Sequence, residues 1–289
     1  MTTNTHPTAV LVLGGTGKTG RRVARLLTAA GRPVRIGSRS TRPAFDWQDE
    51  ATWEPAVHGA SCAYVAYAPD LAFPGADEAV GRFARRAAEA GLTRLVLLSG
   101  RGEPGARRSE EALRAAGTAW TIVRSSFFAQ NFSEDFLAGM VERGQVALPA
   151  GAVAEPFVDA DDVAEVAAAA LLDQAHTGRV YEVTGPRLLT FPQALAEIGE
   201  AAGRDIAYLP LTPEQFAAGM VAEGFDPGYA EALSALFAEV LDGRNARLGE
   251  GVAQALGRPP RDFADYARRA AASGAWQQAP AAGAGADRG

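Results

Sequence analysis

Ala9-Val10-Leu11-Val12-Leu13-Gly14-Gly15-Thr16-Gly17-Lys18-Thr19-Gly20 is the stretch on which the reading of this chain turns. Five consecutive apolar residues without polar alternation describe a strand covered on both faces, as in a parallel sheet. The glycines follow at once. Over residues 21–30 a helical pattern places Val23, Leu26 and Leu27 on one face, and Gly31 ends it. In that context each glycine has a use. Gly14 permits a tight turn, Gly17 lets backbone approach a diphosphate, and Gly20 lets helix and strand pack closely. The helix N-terminus offers unpaired N–H groups and a positive dipole end to the same diphosphate.

Two other readings compete. Gly17-Lys18-Thr19 looks like the second half of a P-loop, but the position five before Gly17 is Val12, not glycine. A glycine turn that binds nothing is the bland alternative, and the strand–turn–helix order speaks against it.

Outward from this stretch, short apolar runs alternate with helical patterns. Strands are expected at 34–36, 44–47, 62–66, 95–98 and 120–123. Helices are expected behind Asp49, over 77–90, and up to residue 116. Repeated βα units imply a parallel sheet with right-handed crossovers. Beyond Arg124 the pattern loosens into helices at 133–141, 161–172, 191–202, 213–222 and 227–241, with one strand at 180–183. The expected fold class is α/β, a doubly wound parallel Rossmann sheet with a small C-terminal helical substrate lobe. Residues 9–276 read as one NAD(P)-binding domain, with roughly 127–276 contributing the lobe. Residues 1–8 and 277–289 read as disordered.

Composition narrows the function classes. A formal net charge of −6 argues against nucleic acid as a partner. No eighteen-residue apolar run is present, so no membrane span is expected, and the N-terminus lacks a secretory leader. One cysteine, Cys62, excludes an intramolecular disulfide and fits a reducing cytoplasm; its apolar surroundings mark a buried thiol. His6, His58 and His176 have no ligand-spaced partners, so no metal site is expected.

After the second strand, a dinucleotide site selective for NAD carries an acid that holds the ribose hydroxyls. Here the segment reads Gly37-Ser38-Arg39-Ser40. Arg39 suits a 2′-phosphate, so NADP(H) is expected over NAD(H). A solvated surface arginine is the plain alternative. The 28 basic residues include one lysine, Lys18, in the glycine turn. The Tyr-x-x-x-Lys pair with which short-chain dehydrogenases protonate an alkoxide therefore cannot exist in this chain. Hydride addition to an iminium carbon needs no such acid, and quinones and conjugated acceptors are intermediate cases.

At this point the chain resembles the NmrA-like branch of atypical short-chain dehydrogenases. Within it the chain is similar to the iminium reductases of the festuclavine and agroclavine dehydrogenase type and to bacterial NAD(P)H-binding relatives. The resemblance covers roughly residues 9–276. It rests on Gly14 to Thr19, Phe45-Asp46-Trp47, the stretch RSSFFAQNFSE from Arg124, Pro156-Phe157-Val158-Asp159, Gly185-Pro186 and Gly257-Arg258-Pro259-Pro260. It implies NADPH-dependent reduction without the Tyr/Lys pair. By matching position it implies phosphate contacts from Thr16, Gly17, Lys18 and Thr19, and a 2′-phosphate contact from Arg39. Ala66, Ala68, Pro69 and Ser99 would line ribose and nicotinamide, and Ser125, Ser126 and Phe127 would lie near nicotinamide and substrate. Where relatives read Arg-Pro-Thr-Trp-Phe, this chain reads Arg124-Ser125-Ser126-Phe127-Phe128, and Tyr67 interrupts a small-residue strand end; both differences fall where substrate should sit.

The candidate set is then as follows. Gly14, Thr16, Gly17, Lys18, Thr19, Gly20, Ser38, Arg39, Ala66, Ala68, Pro69, Ser99 and Ser125 are cofactor-binding candidates. Tyr67 and Ser126 are catalytic candidates, and Phe127 and Phe128 are substrate-binding ones. Tyr67 packed at a loop edge, and phenylalanines serving only as core, are the plain alternatives. Asp161 and Asp162 open a helix and read as caps. The expected function is NADPH-dependent hydride transfer to a small, flat or aromatic iminium, quinone or conjugated acceptor. A non-catalytic NADP(H) sensor and a cofactor-retaining isomerase or cyclase are the alternatives.

Overall fold

The computed structural model of the chain describes residues 9–277. The termini expected to be disordered lie outside this range, Gln277 excepted.

Apolar runs and glycine stops build the first half. Strand β1 (Ala9–Leu13) leads through the glycine turn into α1 (Lys18–Ala29), and β2 (Val34–Gly37) follows. Then come α2 (Trp53–Val57), β3 (Ala60–Val65), α3 (Ala76–Glu89), β4 (Arg94–Gly100), α4 (Pro104–Arg114) and β5 (Ala119–Ser125). The second half runs α5 (Asn131–Glu134), α6 (Phe136–Glu142), β6 (Gln145–Leu148), β7 (Ala154–Glu155), α7 (Ala160–Leu172), β8 (Val180–Val183) and β9 (Leu189–Thr190). It ends with α8 (Phe191–Ala202), β10 (Ala207–Pro210), α9 (Pro213–Ala222), α10 (Pro227–Val240), α11 (Gly251–Leu256) and α12 (Phe263–Ala272).

Six strands form one parallel sheet in the order β2-β1-β3-β4-β5-β8. The chain leaves β1 toward β2 on one side and resumes with β3 on the other, so the direction of winding reverses between β1 and β3. A crevice opens at such a reversal, beyond the carboxyl ends of the strands.

Alternate residues of each strand serve opposite faces. Leu11, Leu13, Ala63, Val65, Leu95 and Leu97 pack with Trp53, Val80 and Phe83. Val10, Val12, Tyr64, Val96 and Val123 pack with Val23, Leu27 and Val163. The doubly wound fold expected from the sequence is thereby borne out. A third apolar cluster, around Phe132, Phe157, Phe191 and Phe216, joins the helices of the second half. In it α8 and α9 are nucleated by capping boxes, Thr190 with Gln193 and Thr212 with Gln215.

Three local expectations need correction. Residues 44–47 form no strand of the sheet. Their polar groups are taken up locally: Trp53 Nε1 donates to the Asp46 carbonyl at 2.7 Å, and the Asp46 N–H donates to Thr52 Oγ1 at 2.9 Å. Phe45, Trp47, Trp53 and Phe83 pack ring against ring there, Phe45 and Trp47 edge to face at 5.0 Å. The helix expected over 133–141 is broken into α5 and α6. Finally, Asp159 rather than Asp161 or Asp162 caps α7, accepting from the Asp161 N–H at 2.9 Å. Asp162 is fully buried, where Arg258 donates to it at 2.7 Å and Arg261 closes on it as well.

Candidate active site

The glycine turn is set by steric necessity. Gly14 takes φ +65°, in the left-handed region, and the Gly17 N–H donates to its carbonyl at 2.9 Å. Gly17 is the N-cap of α1 and contributes no side-chain cap, so the first N–H groups of the helix stay open to an anion. That opening faces a cavity of about 690 Å³ along the carboxyl ends of the central strands.

Most of the expected residues meet in this cavity. Gly14, Thr16, Gly17, Lys18 and Thr19 line one end, with Ala66, Tyr67, Ala68 and Pro69 beside them. Ser99, Ser125, Ser126, Phe127 and Phe128 continue the wall. Gly20 lies beneath the turn and packs on it. Ser38 and Arg39 do not line the cavity; the Ser38 N–H is bound to Thr41 Oγ1 at 3.0 Å, and Arg39 is exposed on the loop after β2.

The side chains refine the expected roles. Thr19 is buried and its Oγ1 accepts a hydrogen bond from the Tyr64 hydroxyl at 2.9 Å, so only its N–H faces outward to an anion. Lys18 is ion-paired to Asp135, and Arg21 to Glu134, at the cavity mouth. Burial works to raise the Glu134 carboxyl, but hydrogen bonding and charge from Arg22 and Arg21 hold it below the usual carboxylate range. Ser99 Oγ donates to Glu110 at 2.7 Å, and Arg124 Nε grips the same carboxylate at 2.6 Å, which makes a rigid buried floor. Ser126 Oγ spends its proton on the Pro156 carbonyl at 2.6 Å. Tyr67 is half-buried with its ring 4.9 Å from that of Trp47, and burial pushes its phenol up, with Arg82 opposing. It stays protonated at neutral pH. Phe127 meets Phe157 and Phe191 edge to face at 5.7 Å and 5.4 Å while still lining the cavity.

Several lining residues escaped the sequence reading. Helix α10 covers the far end with Tyr229, Leu233, Leu236 and Phe237. Asp70, Arg101, Glu103 and Glu155 also face the cavity. Burial raises the Asp70 carboxyl, and burial together with Asp70, Glu239 and Glu110 raises Glu103 well above its ordinary value. Glu155 is pushed up to about 7 by burial, opposed by Arg101 and reinforced by Asp242. The only sequence signal for Glu155 was an acid directly before the buried Pro156-Phe157 pair; the others lie on loops without periodicity.

Among the described residues no cluster of ligating side chains suits a metal ion, and no helix is long and apolar enough to cross a membrane.

A parallel sheet that reverses its winding beside an uncapped glycine turn is the architecture of a nucleotide-binding α/β protein. Known proteins agree. No family model matches the chain. It is 30% identical over 285 residues to an NAD(P)H azoreductase of Xenophilus azovorans, covering 91% of this chain and 98% of that one. It is 31% identical to agroclavine dehydrogenase of Claviceps fusiformis, with 89% and 95% covered. The crystal structure of Citrobacter sp. triphenylmethane reductase complexed with NADP(H) superimposes with a TM-score of 0.75 at 19% identity, covering 91% of this chain and 99% of that one. The chain belongs to the NmrA-like branch of the atypical short-chain dehydrogenases, as its sequence motifs led us to expect.

Proposed function

We propose that the cavity joins a reduced nicotinamide to a small, flat or aromatic electrophile, and that hydride transfer takes place beside Ser99, Ser125 and Phe127. The protein is an NAD(P)H-dependent reductase that binds NADP(H) and acts on small molecules. The carrying observation is continuity: the uncapped N-terminus of α1 opens into the same space that aromatic side chains close at the far end.

The residues fit such a cofactor. The turn is backbone-lined where a diphosphate must approach, and any Cβ on Gly20 would collide with it. Open N–H groups of α1, with Lys18, would hold the diphosphate, and Arg39 the 2′-phosphate. When bound, the nicotinamide supplies hydride. Ser99 is fixed by Glu110 and Ser126 by Pro156, so this wall positions rather than protonates. Tyr67 is the one neutral O–H donor among our two catalytic candidates that is free of a backbone commitment. Phe127 and α10 keep the reacting centre dry.

Among the relatives, the azoreductase and the dehydrogenase are named for turnover, and that supports the reductase reading over a sensor. The formal net charge of −6 argues against nucleic acid, and the single buried thiol Cys62 suits a reducing cytoplasm. The test is a titration of purified protein with NADPH and NADH, followed by loss of reduced-nicotinamide absorbance on adding quinones and cyclic iminium salts. Arg39→Ala should weaken NADPH about tenfold and leave NADH unchanged. Tighter NADH binding, or binding without oxidation by any acceptor, overturns this reading.

A further inference from the structure

The roof over the far half of the cavity is a distinct piece of structure. Helices α9 and α10 form a hairpin, joined by residues 223–226 with Gly224 at φ +93°. Its two halves are tied to each other. Ser234 Oγ donates to the Pro213 carbonyl at 2.7 Å, and the rings of Phe216 and Phe237 stack at 5.4 Å. Each of the two helices packs chiefly against the other.

Attachment to the body is of a different kind. Beneath the hairpin, Phe216, Met220, Ala230 and Phe237 join the apolar cluster around Phe132 and Phe157, and Phe237 meets Phe127 at 6.1 Å. At the rim Tyr229 meets Phe73, on the loop between β3 and α3, at 6.0 Å with the rings inclined by 60°. The ion pair of Arg143 with Glu223, 4.0 Å long and exposed on both sides, adds little. Hydrogen bonds fix the chain on either side of the hairpin. Before α9 the Leu211 N–H donates to the Leu148 carbonyl at 3.0 Å, and after α10 Asn245 Nδ2 donates to the Arg101 carbonyl at 3.0 Å.

Apolar contacts have no direction, so they part and reform without stranding a donor or acceptor, as a hydrogen-bonded seam cannot. An element held that way between two fixed points moves as a unit at low cost. What it covers gives the movement a use. Tyr229, Leu233, Leu236 and Phe237 close the cavity beyond Phe127, so a molecule that reaches the hydride site from this end has to displace them. Tyr229 is 38% exposed, and Phe225, stacked on it at 6.3 Å, is 40% exposed. The contact with Phe73 thus lies at the outer edge of the roof, where a lid meets its frame.

We propose that the α9–α10 hairpin is a lid, anchored at Leu211 and Asn245 and latched by Tyr229 against Phe73, which opens to admit substrate and closes over it. It rests on the reductase reading only in taking the roofed end as the substrate end. Closure excludes water from the reacting centre, and reopening releases product.

Lid position is read apart from turnover. Spin labels on Glu89→Cys in α3 and Ala222→Cys in α9, both exposed, are placed on the full chain carrying Cys62→Ala, and double electron–electron resonance measures their separation. Two populations are expected without ligand. NADP+ and menadione together, a pair that cannot react, should collapse them onto the closed one. Phe73 does not line the cavity. Phe73→Ala should raise the ratio of open to closed roughly two- to tenfold, the worth of one aromatic pair, and leave NADP+ affinity unchanged. One unchanging distance in every state overturns the proposal. So does a Phe73→Ala distribution identical to its parent's, with the fold checked by circular dichroism, or menadione that is reduced by NADPH yet leaves the populations unmoved. If menadione is neither reduced nor shifts the populations, the reductase reading falls and the Phe73→Ala arm decides the lid by itself.

Discussion

Gly20 lies directly against Gly14: a side-chain carbon on Gly20 would stand 2.2 Å from the Gly14 carbonyl oxygen. The contact joins the start of α1 to the turn that leaves β1, so the open N–H groups of the helix are aimed by backbone packing alone. Gly20→Ala is therefore expected to push the turn away from the helix, costing about 1–3 kcal/mol of stability. NADPH affinity should fall at least tenfold, by calorimetry. Unchanged affinity in the folded variant would show that the turn does not set the diphosphate site.

Lys18 meets Asp135 across the cavity mouth, and a diphosphate entering there must compete for the same ammonium. Lys18→Ala should weaken NADPH roughly tenfold, within the range of a charge-assisted contact. Asp135→Asn should tighten it several-fold. Both effects should shrink in high salt. If Asp135→Asn weakens binding as much as Lys18→Ala does, the pair orders the loop rather than guarding it.

Tyr67 separates two kinds of acceptor. Hydride addition to a quinone leaves an oxyanion that a neutral phenol can protonate, whereas an iminium needs no proton. Tyr67→Phe should slow quinone turnover by about 100-fold, the lower end of general-acid contributions, and leave kcat for a cationic electrophile within about threefold. Equal losses for both acceptors would remove the phenol from the chemistry and leave it a wall of the cleft against Trp47.

How legible was this in the sequence? The first half reads well because a buried parallel sheet writes itself as apolar runs, and because the turn glycines have steric duties that no other residue meets. Tyr64 illustrates the limit: nothing in the chain announces that its hydroxyl turns Thr19 inward. Residues 44–47 failed for a physical reason. Phe45 and Trp47 have the composition of a strand, but their rings pack with Trp53 and Phe83, and the backbone of Asp46 between them is bound by the Thr52 and Trp53 side chains. Glu155, Asp70 and Glu103 converge from three separate segments, and convergence of that kind has no period to detect.

Asp162 is fully buried on α7 and anchors Arg258 and Arg261 from the C-terminal segment. Asp162→Asn removes the charge and leaves those guanidiniums leaning on Glu165 alone. A loss of about 3 kcal/mol is expected, near the lower bound for breaking a buried pair. Urea unfolding measures it, and a loss under half of that would mean Glu165 suffices.

Glu155 also makes stability depend on pH. Its carboxyl is raised in the folded chain to about 7, so folding favours the protonated form. Between the ordinary carboxylate value and about 7 the unfolded chain binds fewer protons than the folded one, and stability falls as pH rises. The cofactor-free protein should lose on the order of 2–3 kcal/mol across that window from this group. Glu155→Gln should remove that part of the slope in denaturation curves taken from pH 5 to 8.

The solitary lysine has a practical side. Apart from the chain terminus, an acylating reagent aimed at amines has one side chain to find, and it sits at the doorway of the nucleotide. A bulky fluorophore attached there would plug that doorway, and bound nucleotide would shield the amine from the dye. The protein thus comes with its own occupancy gauge, readable by mass spectrometry before any substrate is known.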